Sequence, residues 1–374
     1  MLAVRGRACD CGAVRCAESR RAAFRCAAFL RAFTPPDFRK RSTLALQPHA
    51  NLIDIQSHHR HAMHAAATDA HPAALRTLLR SLGQIVLQPN ALTGACLLAA
   101  WLVADPRFAC AALMGAVAAN VSAVLAGYRD DDTRVGLHGF NGALAGLAAF
   151  SLISDSASAT AVAILAATAT AWLMGPWSQW LRARGLSCLS SPCLIVTWLW
   201  LPMVPSGARS ASIAGPHVLG IAHWTGGVLA GFAQTGFASG PLAGLLVLGG
   251  IAAASRRHAQ WALTGAALAS GAHLLLGASP RSFDAGLLGF NGALTALALV
   301  ESGVLSMLGG VAVSIVLQAV ALHFDWPAMT APFVLATWCM QWLRQRVRRG
   351  FVADGAAACI QNSRAIKTPA TRMN

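Results

Sequence analysis

The chain has 374 residues, of which 56% are hydrophobic and only 11% charged. Soluble domains carry about 25% charged residues, so this composition excludes an ordinary soluble globular protein and points to helices that cross a lipid bilayer. The net charge of +15 is gathered on the flanks of the apolar region, which makes a nucleic-acid partner the weaker explanation of the basic balance.

Residues 1–72 differ from everything that follows. Residues 1–62 hold eleven Lys/Arg against four Asp/Glu, with Pro35-Pro36 and no sustained apolar period. This predicts a disordered basic tail, or sequence upstream of the true start, with Met63 as the alternative start. A transit peptide is a weaker third reading. Cys9, Cys11 and Cys16 with His58, His59, His61 and His64 fit no standard zinc spacing, so no metal site is expected. The ten cysteines do not read as a disulfide framework. Cys96, Cys110, Cys188, Cys193 and Cys339 lie in or beside predicted helices, where a thiol behaves as a small apolar group.

From Arg76 a short amphipathic segment is followed by five apolar stretches at about 91–104, 108–127, 136–153, 158–180 and 188–203. A second short segment at about 222–235 precedes five more, at 240–254, 258–278, 286–301, 304–322 and 328–343. The stretches are continuous rather than alternating, which favours helices over a membrane β-barrel. Residues 73–205 are expected to form one membrane repeat, 206–345 a second, and 346–374 a basic cytoplasmic tail.

The division into two repeats is written in the motifs. Gly136-Leu137-His138-Gly139-Phe140-Asn141-Gly142-Ala143-Leu144 returns 150 residues later as Gly286-Leu287-Leu288-Gly289-Phe290-Asn291-Gly292-Ala293-Leu294. The same offset relates Gln84, Leu92 and Gly94 to Gln234, Leu242 and Gly244, with Pro89 and Pro241 nearby to end a helix. A third pair, Ser190-Ser191-Pro192 leading to Thr197-Trp198 and Thr330-Ala331-Pro332 leading to Thr337-Trp338, is offset by 140. Five crossings per repeat place the second copy upside down relative to the first. The expected fold is therefore all-α: a polytopic membrane protein built as an inverted repeat of two five-helix halves, each with a re-entrant half-membrane pore helix. With the N-terminus in the cytoplasm, inner links carry Arg129, Arg134, Arg182, Arg184, Arg256 and Arg257, and outer links only Arg107, Arg209 and Arg281. Both termini are then cytoplasmic by the positive-inside rule, and a bacterial inner membrane is the expected location.

Gln-x-x-(large apolar)-x-x-Asn-x-x-x-Gly, Gly-Leu-x-Gly-Phe-Asn-Gly-x-Leu and (Ser/Thr)-x-Pro-x-x-x-x-Thr-Trp, twice over, resemble the urea transporter family across about residues 76–345. The resemblance implies a passive, channel-like route for urea through a narrow uncharged slot, with aromatic or aliphatic walls and a ladder of oxygen acceptors. It also implies a homotrimer with one pore per subunit and no cofactor. Carried over, Phe140 and Leu144 form one wall with Phe290 and Leu294. Leu87 and Phe237 line the two mouths, Gln84 and Gln234 supply acceptor oxygens, and Ser190 and Thr330 flank the constriction. Three positions depart from the commoner pattern: Leu87 for Phe, Gly240 for Asn and Ser190 for Thr. The first weakens the aromatic sandwich at one mouth, the second alters a helix cap, and the third keeps the hydroxyl.

The residues fit that solute. Urea is flat, neutral and rich in N–H donors, so oxygen acceptors replace its water at a net ~1 kcal/mol per hydrogen bond. None of the proposed slot residues is charged, so an ion would lose hydration without a counter-charge. Asn141 and Asn291 are expected as braces that position loops, and Thr197 and Thr337 as hydroxyls bonded back to their own helix. His138, whose twin is Leu288, is expected to be a packed or rim residue. Asp130, Asp131 and Asp132 read as a solvated loop and Glu301 as an interfacial residue. An ammonia, ammonium or small-amide channel is the alternative, though an ammonium route calls for paired histidines. A membrane enzyme is less favoured, since the apolar spans lack clustered His, Asp or Glu and no catalytic residue is expected.

Overall fold

Short polar links between the apolar stretches become helix caps. The computed structural model describes residues 73–128, 135–204 and 220–347, all within one compact unit, Ala67–Asn374. The basic tail with its Cys and His residues, the Asp130–Asp132 loop, the boundary at 205/206 and the C-terminal tail from 348 lie outside the described residues. No strand occurs among the described residues.

In chain order the helices are α1 (73–83, extended by a 3-10 turn at Gln84–Val86), α2 (Ala91–Ala104), α3 (Pro106–Leu125), α4 (Gly139–Leu152), α5 (Ser156–Arg182) and α6 (Ser191–Trp200). They continue with α7 (Ile221–Gln234), α8 (Pro241–Ala254), α9 (Arg256–Leu275), the short α10 (Pro280–Asp284), α11 (Phe290–Ala298), α12 (Val304–His323) and α13 (331–347). α2 and α3 recur as α8 and α9 with every boundary shifted by 150 residues.

Local chemistry explains the sharp corners. Asp105 alone separates α2 from α3; its carboxylate accepts from the Arg107 N–H at 2.9 Å and from the Arg107 guanidinium at 2.8 Å. Pro106 opens α3, where a missing N–H costs nothing. The Arg107 side chain, and then its backbone N–H, hold this carboxyl below the usual carboxylate range. Ser255 stands at the twin corner and caps α9 through the His258 N–H at 3.3 Å. Asn90 caps α2 by accepting from the Leu92 N–H at 2.8 Å. Its twin Gly240 offers no side chain and sits at φ 87°, so the expected change of cap is realised at α8 by a backbone conformation that suits glycine.

Two predicted stretches are shorter as helices than their hydropathy. The 136–153 stretch yields α4 only from Gly139, and 286–301 yields α11 only over Phe290–Ala298 before a 3-10 turn at Val300–Ser302. Gly136 and Gly286 have φ 87° and 76°, so apolar residues continue through a turn that hydropathy cannot see. Among the described residues three helices, α3, α5 and α12, are long and apolar enough to cross a membrane, and 73–86 with α2 forms a further apolar pair bent by 76°. The apolar helices α4, α6 (with the turn to Met203) and α8 are shorter.

The halves meet along α2 and α8. Thr93 Oγ1 donates to the Gly250 carbonyl at 2.8 Å, and the buried Trp101 indole donates to the Gly236 carbonyl at 2.6 Å. Inside each half the helices approach at glycine. A Cβ on Gly94 would lie 1.8 Å from the Leu79 carbonyl oxygen, and one on Gly244 1.7 Å from that of Leu229. Small residues of this kind replace the hydrophobic drive that helices in lipid lack.

Candidate functional site

Both short segments end the same way. After Gln84 and after Gln234 the chain turns through a left-handed residue, Leu87 at φ 59° and Phe237 at φ 60°. The turn closes with Leu87 N–H donating to the Gln84 carbonyl at 2.9 Å and Phe237 N–H to that of Gln234 at 3.2 Å. Burial repeats residue by residue over 81–90 and 231–240. The Gln84 Oε1 is buried with no protein donor. An acceptor held this way carries a desolvation cost of about 1–3 kcal/mol, which a solute N–H would offset.

The Gly-Phe-Asn motif and the Pro-containing helix of each half are tied by one side chain. Asn141 Nδ2 donates to the Leu189 carbonyl at 3.2 Å while its Oδ1 accepts from the Cys193 N–H at 3.1 Å. Asn291 does the same for the Met329 carbonyl at 3.1 Å and the Phe333 N–H at 3.3 Å. Leu189 and Met329 are themselves left-handed, at φ 50° and 48°. Cys193 and Phe333 lie just past Pro192 and Pro332, where helix N–H groups have no partner in their own helix. Asparagine carries a donor and an acceptor on one short group, so it secures both the strained loop and the helix start. Ser190 and Thr330 fall between these anchors.

This places the two hydroxyls in contact. Ser190 Oγ and Thr330 Oγ1 are 2.9 Å apart and both residues are buried. A reciprocal pair of bonds frames them: the Trp198 indole donates to the Pro327 carbonyl at 2.9 Å, and the Trp338 indole to the Ser187 carbonyl at 2.7 Å. Each partner in one bond lies 140 residues from its counterpart in the other.

The apolar residues expected to line the slot fall in two packed clusters. Phe140 and Leu144 belong to the large core, against which Leu87 and Phe237 pack. Leu294 joins Leu194, Phe333 and Val334, with Leu87 and Phe290 packed against them. Leu87 therefore touches both clusters, whereas Phe140 and Phe290 fall in different ones. Thr197 and Thr337 are fully buried, but neither makes the expected bond to its own helix backbone. Thr197 Oγ1 lies 3.9 Å from Cys193 Sγ, one turn earlier, and the Thr337 hydroxyl has no protein partner. Thr170 and Thr295 do bond back to the Ala167 and Asn291 carbonyls at 2.7 Å, so helix carbonyls accept such bonds and the departure is local to positions 197 and 337. His138 is buried and stacks on Tyr128 with ring centroids 5.0 Å apart.

Two contributors escape the motif reading. Trp101 holds the carbonyl that precedes Phe237, and Gln318 bonds to Asn291 at 3.0 Å. A glutamine inside the apolar run of α12 was the signal available for the second. Among the described residues no three His, Cys, Asp or Glu gather as a metal site would require.

The urea transporter family model (UT: Urea transporter) matches residues 75–345. The chain belongs to the urea transporter family. No curated protein matched the chain. Membership in the urea transporter family implies transport of urea across a membrane, and the apolar helices are those of a membrane protein in that family. The family is one of transporters rather than enzymes.

Proposed function

We propose that this urea transporter conducts urea passively, as a channel, through a slot centred on Ser190 and Thr330. The observation that carries this reading is the 2.9 Å contact between two buried hydroxyls supplied by matching positions of the two halves. The reciprocal Trp198–Pro327 and Trp338–Ser187 bonds support an inverted repeat, because partners exchanged between two copies are what a two-fold relation produces. On this reading 73–86 and α7 are re-entrant half-membrane helices that bring Gln84 and Gln234 to the slot. Phe140, Leu144, Phe290 and Leu294 are its walls, and Leu87 and Phe237 its mouths. Asn141 and Asn291 support the loops, and Thr197 and Thr337 the helices behind them.

Urea N–H groups pass from the glutamine oxygens to the hydroxyl oxygens, each exchange trading water for a protein acceptor at a net ~1 kcal/mol. A step that small lets solute enter and leave. The Arg-bearing links at Arg182, Arg184, Arg256 and Arg257 favour the side that holds the termini as cytoplasmic. A homotrimer in a bacterial inner membrane completes the reading.

Purified protein in proteoliposomes is expected to admit urea faster than protein-free vesicles, with no proton or sodium gradient applied. Stopped-flow light scattering measures this directly. Phe290→Ala is expected to lower urea entry several-fold while glycerol entry rises. Equal entry of ammonium, glycerol and urea in the unaltered protein would defeat the proposed selectivity, and requirement of an ion gradient would defeat passive conduction.

A further inference from the structure

We propose that Gln318 is a positioning residue for the slot, fixing Thr330 through Asn291 and making the two halves of the constriction unequally stiff. The proposal rests on the reading of Ser190 and Thr330 as the constriction. Gln318 is buried in α12, 12 residues before Thr330 in sequence and outside every repeated motif. Its Nε2 donates to the Leu287 carbonyl at 2.7 Å, and its Oε1 accepts from Asn291 Nδ2 at 3.0 Å. One amide thus joins the turn before α11 to the asparagine that holds both the Met329 carbonyl and the Phe333 N–H. Thr330 lies between those two anchors.

The first half is built differently at this point. Asn141 Nδ2 faces the Met174 sulfur at 3.9 Å, and Cys188 Sγ donates to the same sulfur at 3.4 Å. A thioether is a weak acceptor and has no donor. Met174 therefore cannot supply the bond that Gln318 gives to the turn at Leu287, and it leaves Asn141 less restrained. Networks in which every member is satisfied are stiffer than the sum of their pairs. The second-half hydroxyl is accordingly fixed through the asparagine, whereas in the first half the Trp177 indole donates to Ser191 Oγ at 2.8 Å, so Ser190 is held from its own helix start and less through Asn141.

Gln318→Met gives the second half the chemistry of the first at nearly unchanged volume. It is expected to lower urea flux roughly fivefold at saturating urea, with half-saturation moved less. Met174→Leu is expected to change flux by less than about twofold. Gln318→Glu adds a readout that a merely structural role would not move. The protonated carboxyl keeps an O–H donor for Leu287 and the ionised one does not, so flux relative to the unaltered protein should recover as pH falls. Hydrogen exchange on the purified protein should quicken at the amides of Ala331, Phe333 and Val334 in Gln318→Met and stay unchanged at those of Ser191, Cys193 and Leu194. Unaltered exchange at Ala331, Phe333 and Val334 would overturn the proposal whatever solute the protein carries. Equal losses in Gln318→Met and Met174→Leu would overturn the inequality of the halves. Absence of urea flux in the unaltered protein would instead overturn the channel reading, leaving the exchange result to decide the role of Gln318.

Discussion

Thr330→Val should reduce urea flux roughly tenfold to a hundredfold, the equivalent of one buried hydrogen bond left unmade at ~1–3 kcal/mol. Valine has nearly the shape of threonine, so the volume of this buried position is kept while the acceptor is lost. Ser190 also loses its 2.9 Å partner, and a urea N–H at the constriction then meets a methyl group on one side. Thr330→Ser keeps the oxygen and is expected to retain flux within about threefold. Flux normalised to inserted protein in vesicles separates the two variants. Equal flux in Thr330→Val and the unaltered protein would remove the hydroxyl from the pathway.

The largest effect on stability is expected at Gly244. Alanine there places its Cβ 1.7 Å from the Leu229 carbonyl oxygen, a backbone atom of the helix that carries Gln234. Neither helix can yield by a rotamer change, so α8 and α7 separate. The loss should reach or exceed the ~3 kcal/mol upper end usual for overpacking. Gly249, in the same helix, faces open space, and Gly249→Ala should fold normally. Thermal melting of detergent-solubilised protein by size-exclusion chromatography compares them. A Gly244→Ala variant as stable as Gly249→Ala would contradict the tight α7–α8 approach.

Much of the helical layout was legible because its signals are local. The 91–104 stretch coincides with α2, and Asn90 marks its start through a contact two residues away. The repeat was legible because copied residues need no folding to be compared. The turn at Gly136 was hidden by the apolar residues around it. Leu87, Phe237, Leu189 and Met329 show nothing in their side chains that announces a left-handed backbone. Those conformations are imposed by neighbours, such as Asn291 on the Met329 carbonyl, rather than by intrinsic preference.

By itself the sequence determined an all-helical, lipid-compatible chain in two matched halves and nominated the Phe, Leu, Gln, Ser and Thr positions. Composition, period and repetition are properties of the chain before it folds. Only the tertiary structure brought Ser190 against Thr330, exchanged Trp198 and Trp338 between halves, and set Gln318 behind Asn291 where the first half has Met174. These bonds join residues from 27 to 151 positions apart. Whether two such groups meet depends on helix crossing and on burial, which make an unpaired polar group costly enough to select its partner.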